Sequence, residues 1–186
     1  KVPFYVVTAG PFLWKHKIQK LLWLNDFPKV AQIQTRNFLK EKTFNYKVRI
    51  LSKMAQEFQH PLILIGDDSE VDADIFVEVK KLFPEKIIAI YIRQTVGKKL
   101  PLNVTPFYTS LDVALEELKM NRLTEKQAVA VGQSIIEEEN DSLILPYFVT
   151  CPSFNSLRTS DAELETVIKN VRLKIQQICR ARRLEK

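Results

Sequence analysis

The chain has 186 residues, enough for one substantial core or for one domain with an appendage. Its 46% hydrophobic and 27% charged content is that of an ordinary soluble globular protein, and four glycines with nine prolines exclude low complexity. No apolar run approaches the ~20 residues of a membrane-spanning helix. The net charge of +6 is uneven, because Lys169, Arg172, Lys174, Arg180, Arg182, Arg183 and Lys186 crowd the last eighteen residues. That is a local basic patch, and no nucleic-acid partner is expected from it. Cys151 and Cys179 lie far apart and match no zinc, CxxC or disulfide-framework spacing. His16 and His60 are too few for a metal cluster, so both read as structural or surface residues. The chain reads as a protein of a reducing compartment, cytoplasmic or peripheral to a membrane.

Taken in chain order, residues 2–7 form a short β-branched and aromatic run, a strand candidate. Thr8-Ala9-Gly10 follows, and Pro11 stands where a first helical residue should. The spacing predicts a helix over 11–25 with Phe12, Ile18, Leu21, Leu22 and Trp23 on one broad face, ended by Asp26-Phe27-Pro28. Residues 30–35 suggest a second strand. A second helix is expected over 45–58, with Val48, Leu51, Ala55 and Phe58 at helical spacing.

Residues 61–65 are almost wholly apolar, as in a strand buried on both faces. A third helix over 72–83 turns Ile75, Phe76, Val79 and Leu82 inward, and 87–92 is a fourth strand. Strands alternating with helices of this length imply right-handed crossovers and an α/β fold, a parallel sheet with helices on both faces. After Gly97 the pattern changes. Thr109-x-x-Asp112 and Thr124-x-x-Gln127 are capping boxes for two helices, and 143–150 can add an edge strand. Ser160-x-x-Glu163 opens a last helix striped with Leu164, Val167, Ile168, Val171, Ile175 and Ile178. The expected division is an α/β core over 1–97 and a mainly helical extension over 98–186.

Three pieces of chemistry fall on successive strand-to-helix turns, at the carboxyl edge where open α/β sheets bind ligands. Thr8 ends a strand before helix amides that lack intrahelical partners, an arrangement able to cradle phosphate. Lys47, at the start of the second helix, can neutralise a phosphoryl oxygen. Leu62-Ile63-Leu64-Ile65-Gly66-Asp67-Asp68-Ser69-Glu70-Val71-Asp72 releases carboxylates at the third turn. Asp67 and Asp72, five apart, can reach one hard cation such as Mg²⁺. Asp68 and Gly10 are additional candidates. The bland readings are a helix cap for Thr8, a solvated lysine for Lys47 and a polar loop for the acidic turn.

The local words resemble the haloacid dehalogenase superfamily of Mg²⁺-dependent phosphatases, and more narrowly the actin-patch-type phosphatidate phosphatase catalytic domain. Phe4-Tyr5-Val6-Val7-Thr8-Ala9-Gly10-Pro11 is similar to that family's strand ending in a small hydroxyl residue before Pro. Leu24-Asn25-Asp26-Phe27-Pro28 looks like its x-x-G-F-P turn, with Asp26 at the glycine. Gly66-Asp67-Asp68-Ser69-Glu70-Val71-Asp72-Ala73-Asp74-Ile75-Phe76 resembles its G-D-S-G-x-x-D-P-E-I-Y word. Phe83-Pro84 and Ile87-Ile88-Ala89-Ile90-Tyr91-Ile92-Arg93 match its closing strand.

The resemblance covers residues 2–96 and implies a three-layer Rossmann-like fold of haloacid dehalogenase type. It implies Thr8 as the phosphate-binding hydroxyl, Lys47 as the lysine steadying the phosphoryl group, Asp67 as a Mg²⁺ ligand and Asp72 as a second acidic group. The implied substrate is a phosphorylated small molecule or lipid phosphate, attacked by an aspartate. That aspartate belongs to a D-x-D-D-T word on a strand upstream of Thr8. Here the only Asp-x-Asp is Asp72-Ala73-Asp74, in a helix. The expectation is therefore a chain starting inside a longer protein and inactive alone, whose sheet needs an upstream segment or partner chain. The alternative is a degenerate module that binds a protein or phosphorylated ligand; a phosphotransferase or dehalogenase of the superfamily is a weaker option. The basic C-terminal helix could lie on anionic lipid. Its acidic first turn favours packing in a core, with the basic end offsetting the helix dipole.

Overall fold

The structure is a computed structural model that describes residues 2–25, 27–37, 41–152 and 161–184, with residues 183 and 184 described by their backbone alone. The expectations placed on Asp26 and Ser160 lie outside the described residues. Strand pairing is parallel wherever its register is defined. β1 (Phe4–Pro11) pairs with β2 (Val30–Arg36), with Val6 opposite Ile33 and Thr8 opposite Thr35. β4 (Ile87–Arg93) pairs with β5 (Thr105–Phe107), with Tyr91 opposite Thr105. The strands fall in two sheets, β1-β2 and β3-β4-β5, where β3 is Leu62–Asp67. Between them run α1 (Lys15–Leu24), α2 (Thr43–Glu57) and α3 (Asp72–Leu82), so the α/β class expected from the alternation holds.

The chain divides into two compact units, one of residues 1–64 with 71–90, the other of 65–70 with 91–186. In the first unit α2 packs on β1 and on α3. Tyr46, Leu51, Met54 and Ala55 of α2 and Ala73, Ile75, Phe76 and Val79 of α3 are buried, at the spacing that puts them on one stripe of each helix. Leu82, expected inward, is exposed. The helix foreseen over 11–25 starts later. Pro11 closes β1, residues Phe12–Trp14 make a 3-10 turn, and α1 has no buried residue. Its broad apolar face is left largely uncovered, with only Ile18 and Leu22 half covered. β3 also departs from the expectation of burial on both faces. Leu64 is buried, whereas its alternating neighbours Ile63 and Ile65 are exposed.

The second unit is built on α4 (Ser110–Lys119), α5 (Glu125–Glu137), α6 (Asp141–Ile144) and α7 (Ala162–Leu184). Both capping boxes form. The Thr124 N–H donates to Gln127 Oε1 at 2.9 Å, and the Gln127 N–H donates back to Thr124 Oγ1 at 3.3 Å. Every stripe residue expected of α7 is buried in one cluster with Leu111, Ala128, Val129 and Leu145. Gly132 brings α5 against α7, since a Cβ there would collide with Val167 Cγ1. Tyr91 donates to Glu117 in the interior, and Arg122 holds the same carboxylate through two bonds of 2.6 and 2.7 Å.

The edge strand expected over 143–150 is instead the one-turn α6 and an irregular run. Asn140 Oδ1 caps it by accepting from the Ser142 N–H at 3.0 Å, and Pro146 has no N–H for a ladder. Cys151 and Cys179 are bonded to each other, with Cα atoms 5.9 Å apart. The reading of a reducing compartment is therefore corrected. The sequence separation of 28 hid a pairing that the return of α7 creates, and such bonds persist in oxidising surroundings.

Candidate functional site

Thr8 lies inside β1 rather than at a helix start. The β1-β2 register breaks between Thr8 and Pro11, and the Thr8 hydroxyl accepts from the Gly10 N–H at 3.1 Å. A Cβ on Gly10 would sit 3.3 Å from that oxygen, so the glycine allows this close turn. The Gly10 amide is thus used locally, within β1. The Arg36 Nε–H donates to the Ala9 carbonyl at 3.2 Å and pins the same corner. Arg36 was not singled out from the sequence; its position as last residue of β2, at the carboxyl edge, is the signal that could have found it.

Lys47 and Asp72 come together. Lys47 is the fifth residue of α2, and its Nζ reaches the Oδ1 of Asp72, the first residue of α3, at 2.5 Å. The side chains are only 10% and 14% exposed. A cation this poorly hydrated is held in place by its partner, and its charge acts at short range. Asp72 also sits in the first turn of α3, where the helix dipole favours an anion.

Asp67 ends β3, half-buried, and its Oδ1 accepts from the Ser69 N–H at 2.8 Å and from the Ser69 hydroxyl. Asp68 points elsewhere. It is 2% exposed. Its Oδ1 accepts from the Thr95 N–H at 2.6 Å, the Thr95 hydroxyl at 2.5 Å and the Val96 N–H at 2.9 Å, while its Oδ2 accepts from the Lys98 N–H at 2.9 Å. Burial pushes this carboxyl up, but the bonds from the Thr95 side chain and the three amides outweigh it and pull it down to about 2. Lys98 adds a clasp through its Nζ, which donates to the carbonyls of Ser69 and Glu70, both at 2.9 Å. Gly97, at φ 73°, supplies the left-handed turn that presents these amides. Asp68 therefore latches the 95–98 loop to the acidic turn. Thr95 and Lys98, missed from the sequence, carry no local motif.

Thr8, Lys47 and Asp72 belong to the first unit, and Asp67 and Asp68 to the second. Among the described residues no three carboxylate, imidazole or thiolate side chains group closely enough to hold a metal ion. Asp72 is paired with Lys47, and Asp67 with the Ser69 hydroxyl and amide.

Parallel strands alternating with helices, with carboxylates and a lysine near the strand-to-helix turns, define an α/β domain. Residues 1–94 match the family model described as phosphatidate phosphatase APP1, catalytic domain. The match spans half of the 186 residues, and the chain belongs to that family of phosphatases. Neither a curated protein nor a solved structure matches the chain.

Proposed function

We propose that this chain is part of a Mg²⁺-dependent phosphomonoester phosphatase acting on phosphatidate or a related lipid phosphate. Its family membership over residues 1–94 is the observation that carries this reading. In it, Lys47 offers positive charge to the phosphoryl oxygens, steadied by Asp72, and the Thr8 hydroxyl contacts the phosphate. The nucleophile in this reading is an aspartate carboxylate. It displaces the alcohol from phosphorus, and water then cleaves the phosphoaspartate. Magnesium would supply charge neutralisation, with Asp67 as this chain's ligand and the remaining donors from outside the described residues. No helix among the described residues is long and apolar enough to cross a membrane. We place the enzyme peripheral to a membrane.

A second reading, a degenerate module that binds a protein or a phosphorylated ligand, is favoured by the lack of a three-residue metal group among the described residues. Phosphate release from phosphatidate with Mg²⁺ separates the two. The 186-residue chain alone is expected to be inactive, and the protein carrying the upstream segment active, with Asp67→Asn reducing turnover by about 10²-fold or more. Inactivity of that longer protein would favour the binding module.

A further inference from the structure

The first unit leaves a run of large apolar side chains uncovered. Leu13 is 83% exposed, Trp23 73% and Phe12 69%, and Trp14, Leu21, Leu24 and Phe27 are exposed with them. On α1 the 3.6-residue period puts Lys17, Lys20, Leu21 and Leu24 on one exposed face, beside the half-covered Ile18 and Leu22. No acidic residue occurs from residue 2 to residue 25. Among the described residues, Lys15, Lys17 and Lys20 enter no ion pair.

An apolar face of this size needs a cover, and its charge selects which. A second copy would bring the same lysines against themselves, a like-charge contact. A bilayer with anionic headgroups meets both features: tryptophans and leucines enter the interface while lysine stems reach up to the phosphates. The other basic helix is less suited. The apolar stripe of α7 is buried, and Lys174 and Arg182 donate to backbone carbonyls of Ile136, Glu138 and Val149. We propose that residues 12–25 form a peripheral attachment element that seats the chain on anionic phospholipid bilayers. The proposal stands apart from the phosphatase chemistry, because attachment is read without turnover.

The chain carries two tryptophans, Trp14 and Trp23, both in this segment, so its tryptophan emission reports on the segment alone. The 186-residue chain is titrated with phosphatidylcholine vesicles, with and without phosphatidylserine, following emission and co-sedimentation. A blue shift and binding only with phosphatidylserine, weakened by salt, are expected. Lys17→Gln with Lys20→Gln should lower partitioning about thirtyfold, and Leu21→Ser with Leu24→Ser should remove the blue shift. All four residues are exposed, so circular dichroism should not change. An unshifted emission on both vesicles overturns the proposal. So does equal binding to uncharged vesicles, or lipid-free self-association that already shields the tryptophans. Binding weakened by Lys169→Gln with Arg180→Gln, but not by the α1 changes, moves attachment to α7 and overturns it as well.

Discussion

Among single residues, Asp68 is the clearest determinant of local structure. Its folded-state value, about 2, lies below the ordinary 3.8. The stabilisation is therefore complete above pH ~4 and is lost as the pH falls toward 2. The shift corresponds to about 2 kcal/mol. Asp68→Asn should lower unfolding stability at neutral pH by about 2–3 kcal/mol, since the amide turns a donor toward backbone N–H groups. Urea melts at several pH values check this: the variant should show a flatter pH dependence below pH ~4 than the parent chain. The sequence flagged Asp67, Asp68, Asp72, Lys47 and Thr8 because each was expected at or near a strand-to-helix turn. Their partners were not legible. Lys47 and Asp72 are 25 residues apart, and Asp68 bonds to amides 27 to 30 residues on. Only the packing of α2 on α3, and the return of the chain after β4, bring such positions together.

Among elements, those specified by local chemistry were readable. The capping boxes at Thr109 and Thr124 and the stripe of α7 formed as spaced, because both depend on residues within a turn or two. β5 was not foreseen: it has three residues, Thr105, Pro106 and Phe107, and the proline marks it as a place where a ladder bond is dispensable. The face of α1 was misjudged because periodicity shows that a helix has an apolar side without showing whether anything covers it. The α5–α7 contact supplies a test at this scale. Gly132→Ala places a methyl against the branched, buried Val167. Overpacking costs about 1–3 kcal/mol and the gain in helix propensity returns about 1. A net loss of stability is expected by thermal melting, partly recovered when Val167→Ala is added.

At the scale of the molecule, two units each carry a core of their own, although both β3 and β4 run through the boundary between them. Composition and alternation were enough for the α/β class, because burying strand and helix faces together leaves few architectures. The partition was less visible, since it cuts through strands rather than falling at a linker. Cys151→Ser should cost about 3–4 kcal/mol in unfolding stability, the loop entropy of a separation of 28 residues. Guanidinium titration of the variant beside the parent chain, with reductant added to each, checks it: reductant should destabilise only the parent. The same bond closes residues 151–179 into a ring of chain. A protease that cuts once inside that ring would release no fragment, and the nick would show on a gel only after a thiol reagent had opened the ring.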